Sequence, residues 1–385
     1  MRVFHSYCIV CVYPAGLKAI RQEHLDQAAA ERRKYRSHQR KAKTNPDKYM
    51  TMIVDGMTQK TTALPHFRMN PSWKGRDELG VHVEGIMVQE RAPHLEFSLP
   101  NVQQDANTVV DTVHATILRE QALRRSEGRP MPDVLYLQMD NVNTNKSKTC
   151  MAYLSWLVKQ GIFKKVKVNF LLVGHTHENI DQLFSRFSMR LRQEDALTVE
   201  ALMKIAIKSF TPNPTVEQVY GQRNWHEYLT GKGDFQEIFR NHAFRIKKID
   251  GIVLLHSKQY GGGPKAEYRM WRSEATEVLP KSPVGIPPMR QLAAMKSKEI
   301  SALSNLQRNL MEKLCASYVG DIKEFWDFQV AFQDRVLRDL EAVYCPLRSP
   351  VPATYTPPAG NYSSITCPRF LDFHILSSQD ENPFC

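Results

Sequence analysis

The sequence predicts an α/β fold in which a mixed β-sheet is flanked by helices. Short apolar runs of strand length alternate with segments whose apolar residues recur at helical spacing. Of the 385 residues, 42% are hydrophobic and 24% are charged. This balance is typical of a globular protein with a filled core, and the length allows about two or three domains.

Each element is predicted from its own pattern. Residues 49–56 form a bulky apolar run typical of a buried strand, whereas Val110, Val113 and Ile117 recur at helical spacing. The predicted elements, in chain order, are strands at 49–56, 81–89 and 94–100, a helix at 107–123, a strand at 133–140, a helix at 148–163, a strand at 166–174 and a helix at 180–192. Three successive strands followed by alternating helices and strands require a mixed sheet with helices on its faces. This is the element order of the ribonuclease H-like fold, which nucleases, integrases and transposases use.

The regions around this predicted core differ in composition. A basic helix is predicted at 17–48, ending near Pro46. Residues 200–240 are predicted to be helical and polar, with a break at TPNPT (211–215), and residues 244–260 to form a hairpin that turns at Asp250 and Gly251. A third strand is expected at 267–271, and two long helices at 290–343, joined around Gly320.

These patterns divide the chain into six predicted regions. They are a basic helical arm at 1–48 (a possible remnant of a Cys-rich module), a ribonuclease H-like core at 49–199, a mixed helix and hairpin region at 200–278, a proline-rich linker at 279–289, a helical pair at 290–345 and a disordered tail at 346–385. Beside the core we therefore expect a helical N-terminal arm and a small C-terminal β and helical region.

The charge of the chain favours an acidic partner. The net charge is +12 and the isoelectric point is near 9.3, which suits nucleic acid, DNA in the first instance. Seven of the thirteen residues at 31–43 are basic, namely Arg32, Arg33, Lys34, Arg36, Arg40, Lys41 and Lys43. They could contact phosphates, and they could equally form an ordinary solvated helix face.

The N-terminal residues and the cysteines bear on compartment and on zinc. Seven cysteines without a dense framework indicate a reducing compartment, and His5 and Ser6 interrupt the only apolar run that resembles a signal peptide. We therefore expect a nuclear or cytoplasmic protein that is not secreted and does not contact a membrane. Cys8 and Cys11 form a C-x-x-C pair, and with His24 they could supply part of a Zn²⁺ site.

Three aspartates lie at the ends of predicted elements. Asp55 closes the first strand, Asp140 closes the fourth, and Asp181 opens the helix after the fifth. In a ribonuclease H-like sheet strands one and four are neighbours, so these carboxylates would converge. Converging carboxylates repel one another unless a cation neutralises them, and hard oxygen ligands suit Mg²⁺ or Mn²⁺. Two such ions can clamp the attacking and leaving oxygen atoms of a phosphodiester.

Each aspartate also has an ordinary structural interpretation. Asp55 precedes Gly56, a pair typical of turns, and Asp140 followed by Asn141 is typical of a cap or loop. Asp181 near a helix start favours the helix dipole. Glu178 is an alternative third acid, because it lies one turn or less before Asp181.

Three motifs resemble a family of transposon-derived eukaryotic proteins of unknown function. They are IVDGMTQKTTALPH, LQMDNVNTNKSK and FLLVGHTHENIDQLFSRFS, and the resemblance spans about residues 20–275. It implies that Asp55, Asp140 and Asp181 occupy the family's recurring acidic positions. Members of the family often carry a longer N-terminal region with a Cys-rich or DNA-binding part, of which this chain has a remnant.

The GHTH stretch within the third motif has two interpretations. It resembles the last motif of metallophosphoesterases, but the D-x-H, G-D-x-x-D and G-N-H motifs of that class are missing from this sequence. Alternatively His175 and His177 lie at the rim of the acid site, where one could bind phosphate or shuttle a proton. His66 could join them in a Zn²⁺ site. The polar residues that follow Asp140 are candidate phosphate contacts, namely Asn141, Asn143, Asn145 and Lys146.

The sequence therefore favours a transposase-like, metal-dependent cleavage or strand transfer on DNA, catalysed by the three aspartates. One alternative is a domesticated protein that binds nucleic acid or serves as a scaffold without catalysis. The other is a metallophosphoesterase-like hydrolase. The oligomeric state is left open.

Overall fold

The fold is described here from a computed structural model. It describes residues 18–69, 78–170, 179–229, 238–260, 272–273, 277–279, 283, 285, 287–290 and 297–338. The helices are α1 (Lys18–Thr44), α2 (Gln59–Thr62), α3 (Ala106–Ser126), α4 (Lys148–Lys159), α5 (Asn179–Leu191), α6 (Val199–Ile207), α7 (Trp225–Tyr228), α8 (Ser297–Leu314) and α9 (Gly320–Arg338), with a 3₁₀ turn at Cys315–Ser317. The strands are β1 (Tyr49–Met57), β2 (His82–Val88), β3 (His94–Ser98), β4 (Val134–Met139), β5 (Lys165–Phe170), β6 (Thr215–Val219), β7 (Ala243–Ile249), β8 (Ile252–Lys258) and β9 (Arg272–Ser273).

All nine strands form one mixed sheet in the order β6-β3-β2-β1-β4-β5-β7-β8-β9. Strands β1, β4 and β5 run parallel, as do β3 and β6. The remaining neighbours pair antiparallel. The predicted mixed sheet is confirmed, with β1 and β4 as neighbours. Strands β6 to β8, from the predicted 200–278 region, extend the sheet that β1 to β5 form.

Helices cover both faces of this sheet, so its central strands are apolar. All six residues of β4 are buried, which is expected of a parallel strand covered on both faces. On one face α3 and α4 pack through residues such as Val113 and Leu154. On the other face α5, α6, α8 and α9 pack through residues such as Phe187 and Trp326. Two hydrophobic cores therefore lie on opposite sides of the sheet.

Helix α1 packs by one narrow stripe. Tyr35, His38 and Ala42 recur at helical spacing and are buried, and the His38 ring stacks on Tyr136 of β4 at 3.8 Å between centroids. Arg33 and Arg36 are exposed on the other side. Among the described residues, no helix is both long and apolar enough to cross a membrane.

Downstream, one predicted element is corrected and two are confirmed. Residues 200–240 are not continuously helical, because residues 215–219 form β6, which pairs with β3 and covers an edge that would otherwise be open. The hairpin of β7 and β8 turns at Asp250 and Gly251, both with positive φ, as predicted. The pair α8 and α9 is joined near Gly320. The strand predicted at 267–271 lies outside the described residues.

Candidate functional site

Strands β1 and β4 end side by side, which brings two predicted acids together. Their parallel register pairs Val54 with Met139, so Asp55 and Asp140 follow at the same level. Neighbouring strands are about 4.8 Å apart. Both side chains are partly exposed at this edge of the sheet. The predicted convergence of these two aspartates is therefore seen in the fold.

Helix α5 brings Asp181 to the same edge because Gly85 lets it approach the sheet closely. Gly85 pairs with Asp55 across β1 and β2. A Cβ atom at Gly85 would lie only 2.7 Å from the ring of Phe184 and 3.2 Å from the side chain of Ile180. The first turn of α5, which carries Asp181, is thereby fixed near the end of β1.

A fourth acid, Glu84, lies near Asp55 and Asp140 but points to the other face of the sheet, because it pairs with Gly56 rather than with Asp55, and it is not among the predicted site residues. Glu84 pairs with Gly56, and a Cβ atom at Gly56 would lie 3.2 Å from Oε1 of Glu84. The missing side chain at Gly56 thus provides the space that Glu84 uses. The signal in the sequence was a glutamate followed by glycine inside the apolar strand HVEGIMV. We call Asp55, Glu84, Asp140 and Asp181 the four-acid group.

Three members of this group, Asp55, Glu84 and Asp140, have raised pKa values, because burial and, for Asp55 and Glu84, neighbouring charges disfavour their ionised forms. Burial, followed by the charges of Asp140 and Asp181, raises the pKa of Asp55 to about 7. Burial, followed by the charges of Asp55, Glu96 and Asp140, raises the pKa of Glu84 to about 8. The pKa of Asp140 is also raised by burial, although the hydrogen bond from Asn145 opposes the shift. Mutual repulsion of carboxylates is the condition that a bound cation relieves.

Among the described residues, the donors that reach Asp55 and Asp140 are backbone amides, including that of Val142, and one side-chain amide. The Gly56 amide donates to Oδ1 of Asp55 at 2.9 Å, and the Asn145 side-chain amide donates to Oδ1 of Asp140. Across the described part of the chain, no basic side chain forms an ion pair with Asp55, Glu84 or Asp140. The ligand oxygen atoms of the three aspartates do not all lie within 4.8 Å of one another, so a shared cation would draw them closer together.

The loop after β4 supports Asp140. Lys146 is only 2% exposed, and its Nζ donates to Oδ1 of Asn141 at 2.9 Å and to the Phe239 carbonyl at 3.0 Å. Burial lowers the pKa of Lys146 to about 8. The structure thus gives Lys146, Asn141 and Asn145 a role in holding this loop, whereas Asn143 is exposed.

A second group of acids lies further along the sheet, and it contains an arginine. Glu84, Glu96 and Glu217 are register partners across β2, β3 and β6. Arg119 of α3 contacts Glu217 at 3.0 Å and Glu96 at 3.4 Å. His94 Nε2 lies 3.7 Å from Glu96 and 3.6 Å from Glu217. We call His94, Glu96, Glu217 and Arg119 the arginine-bridged group.

The arginine-bridged group could hold a metal ion. The ligand atoms of His94, Glu96 and Glu217 all lie within 4.8 Å of one another, and all three residues are buried. His94 Nδ1 is hydrogen-bonded to the Thr215 hydroxyl, while Nε2 has no hydrogen-bond partner. A metal ion here would compete with Arg119, which already neutralises part of the charge.

Comparison with known families adds one match. A family model for a domain of unknown function, DUF7869, matches residues 72–262. A DUF7869 domain spans these residues. Comparisons with curated proteins and with solved structures gave no match. The DUF7869 domain includes Glu84, Asp140 and Asp181, whereas Asp55 precedes it.

Other predicted site residues in or near the DUF7869 domain stand apart from the four-acid group or cannot be placed. His175, His177 and Glu178 lie outside the described residues, as do Cys8 and Cys11. His24 is partly buried on α1. The ring of His66 contacts the Leu191 carbonyl at 2.8 Å, at the far end of α5 from Asp181. Ten residues of helix separate these ends, which is about 15 Å, so His66 is not a ligand beside the four-acid group.

Proposed function

We propose that this protein cleaves or transfers phosphodiester bonds in DNA, with a divalent cation held by the four-acid group, on a ribonuclease H-like core. The observation that carries the proposal is the meeting, at the ends of β1 and β4, of two partly buried carboxylates, Asp55 and Asp140, that have no basic partner among the described residues. The neighbouring positions of β1 and β4, and the three successive strands before α3, support the fold assignment.

The donor set fits Mg²⁺ or Mn²⁺. Asp55, Asp140 and Asp181 offer hard oxygen ligands, which these ions prefer, and no thiolate or imidazole is among the described members of the group. When bound, such ions supply the positive charge that stabilises the attacking and leaving oxygen atoms of an in-line displacement. Their charge would also favour the ionised form of Asp55, whose pKa is raised to about 7 without them.

Each residue of the site would then have a separate role in the reaction. Asp55 and Asp140 lie on neighbouring strand ends and fix the position of the cation, and Asn145 orients Asp140 by its hydrogen bond. Asp181 closes the site from α5. Glu84 points to the opposite face of the sheet from these aspartates, so it influences the site through its charge and does not contact the reacting atoms. Each of these roles is a proposal.

The test is Mn²⁺-dependent cleavage of supercoiled and oligonucleotide DNA by the wild type and by Asp140→Asn. The matched control is Asp133→Asn, because Asp133 lies at the opposite end of the same strand and pairs with Lys164 on the surface. We expect the wild type and Asp133→Asn to cleave equally and Asp140→Asn to be inactive. Equal cleavage by all three proteins would show that the four-acid group is not the active site.

A second candidate function is nucleic-acid binding without catalysis. The basic composition of α1 favours it, because seven of the thirteen residues at 31–43 are Lys or Arg. If the wild type binds DNA but cleaves it with none of the divalent cations tested, that result would favour nucleic-acid binding over the enzymatic function. The metallophosphoesterase alternative has no support beyond the GHTH stretch, which lies outside the described residues. A nuclear location remains a prediction.

A further inference from the structure

The sheet face that carries Asp55 and Asp140 continues away from them as a series of basic side chains. Tyr136 precedes Asp140 by four residues, so both side chains point to the same face of the sheet. Tyr136 is the register partner of Lys167 on β5. Lys167 in turn pairs with Arg245 of β7, and Lys165 pairs with Lys247. Register partners point to the same face of a sheet. Lys258 of β8 lies on this face too, because it pairs with Ala243, two residues before Arg245.

Helix α1 adds two lysines to this face. His38 of α1 stacks on Tyr136 and lies near the sheet lysines. Burial, followed by the charges of Lys34, Lys167, Lys41 and Lys258, lowers the pKa of His38 to about 2. We call the seven cations that meet here the basic face, namely Lys34, Lys41, Lys165, Lys167, Arg245, Lys247 and Lys258. Lys258 is only 6% exposed, so it adds charge to the face rather than a contact with a ligand.

The cations of the basic face repel one another. Burial, followed by the charges of Lys34, Lys165, Lys41 and Arg245, lowers the pKa of Lys167 to about 8. Among the described residues whose charges shift the pKa of Lys34 or Lys167, Glu31 is the one acid. Such crowding is unfavourable in the protein alone, and a polyanion laid across the face would relieve it.

The basic face lies at a definite distance from the four-acid group. Along β4, Tyr136 precedes Asp140 by four residues, and Lys167 lies on the adjacent strand. With about 3.3 Å per residue and about 4.8 Å between strands, Lys167 and Asp140 are about 14 Å apart at their Cα atoms.

We propose that the basic face binds the phosphate backbone of the nucleic-acid substrate about 14 Å from the phosphate that reacts at the four-acid group. This inference rests on the proposed function for the position of the reacting phosphate, and on the basic face alone for the binding itself. It separates the basic residues of α1 into two sets. Lys34 and Lys41 lie on the side of α1 that carries His38 and belong to the binding face, whereas Arg33, Arg36 and Arg40 lie on the other side of the helix and do not.

The separation supplies a matched control with equal loss of charge. The test variant is Lys34→Gln, Lys41→Gln and Lys167→Gln, and the control variant is Arg33→Gln, Arg36→Gln and Arg40→Gln. Binding of fluorescein-labelled single-stranded and duplex DNA is measured by anisotropy at several salt concentrations. Loss of three phosphate contacts lowers the slope of log affinity against log salt by about 2 to 3.

For the test variant we expect that fall in slope and an affinity at least about tenfold weaker at moderate salt. The control variant should bind within about threefold of the wild type. Equal losses in both variants would overturn the proposal, because net charge alone would then explain binding. Unchanged binding in the test variant would overturn it as well, as would binding of anionic lipid vesicles but not DNA through these lysines.

Two further variants separate loss of charge from misfolding, and DNA binding from cleavage. The variant Lys34→Arg, Lys41→Arg and Lys167→Arg retains the charge and should bind as the wild type does, whereas a loss would mean that the effect came from misfolding. Asp140→Asn should bind DNA normally while losing cleavage. Normal binding in the test variant, with cleavage that depends on Asp140, would reject the basic face and leave the proposed function standing. Loss of binding in the test variant, with no Asp140-dependent cleavage, would support the basic face and reject the proposed function.

Discussion

The aspartates of the four-acid group and the arginine-bridged group lie on opposite faces of the same sheet, and acids of both groups raise the pKa of Glu84, but the two groups resolve their repulsion differently. Arg119 contacts both Glu96 and Glu217, so the protein supplies its own counter-ion there. No basic side chain in the described part of the chain plays this role for Asp55, Glu84 or Asp140, and the pKa values of all three are raised. A group of acids that lacks an internal cation is the better candidate for an external one. The comparison therefore favours the four-acid group as the metal site.

The largest expected effect is that of removing the internal counter-ion. Arg119→Ala leaves Glu96 and Glu217 buried without a cation, and we expect a loss of about 2–3 kcal/mol in the free energy of unfolding, less than for a fully buried pair because Arg119 is partly exposed. Urea unfolding measures it. The variant should also acquire a metal-binding site at His94, which isothermal titration with Zn²⁺ would detect. A variant as stable as the wild type would contradict our account of this group.

The next effect tests the contact that positions Asp181. Gly85→Ala places a Cβ atom against Phe184, and we expect a loss of about 2 kcal/mol in the free energy of unfolding. Adding Phe184→Leu should recover part of it. Gly80→Ala is the control, since the nearest atom to its Cβ would be at 3.5 Å. Equal stability of the Gly85 and Gly80 variants would mean that α5 does not depend on this glycine.

The third prediction concerns pH. Because the pKa of Asp55 is raised to about 7, the folded protein binds its proton more tightly than the unfolded chain does. The free energy of unfolding should therefore fall as the pH rises from about 4 to about 8 in the absence of metal. Asp55→Asn removes this loss, so we expect it to be about 1–2 kcal/mol more stable than the wild type at pH about 8 and equal to it at pH about 4.

Thermal or urea unfolding in EDTA at the two pH values measures the difference. Addition of Mn²⁺ at the higher pH should stabilise the wild type and not the variant. Less stability in Asp55→Asn than in the wild type at high pH would mean that Asp55 is already neutralised by an interaction within the protein.

The smallest effect tests whether Glu84 belongs with the aspartates. Gly56→Ala brings a Cβ atom within 3.2 Å of Oε1 of Glu84, a contact that a flexible side chain can relieve by a small movement. We expect a change of less than about 1 kcal/mol in the free energy of unfolding. If Glu84 takes part in the site, cleavage should nevertheless fall measurably. Unchanged cleavage would remove Glu84 from the proposed mechanism.

The sequence predicts part of this site well because some of its geometry is local. A strand ending in Asp55 and another ending in Asp140 are visible as apolar runs, and parallel pairing of β1 and β4 then places the two acids together. The start of α5, and hence the position of Asp181, is visible from the helical spacing of Ile180, Leu183 and Phe187.

The remaining geometry depends on contacts between distant segments. Glu84 reaches the group only because its register partner is Gly56, and register cannot be deduced from the pattern of either strand alone. The arginine-bridged group requires the pairing of β3 with β6, in a region where a helix was predicted. The basic face also combines α1 with β5, β7 and β8, so only its α1 members were predictable.

The most direct test of the central claim is titration of Mn²⁺ into the metal-free protein at pH about 7.5, measured by isothermal titration calorimetry. The proteins compared are the wild type, Asp140→Asn and the control Asp133→Asn. We predict saturable binding to the wild type and to Asp133→Asn, weakened by about tenfold or more in Asp140→Asn. Mn²⁺ affinity that is equal in all three proteins, or absent from all three, would contradict the assignment of the four-acid group as a metal site.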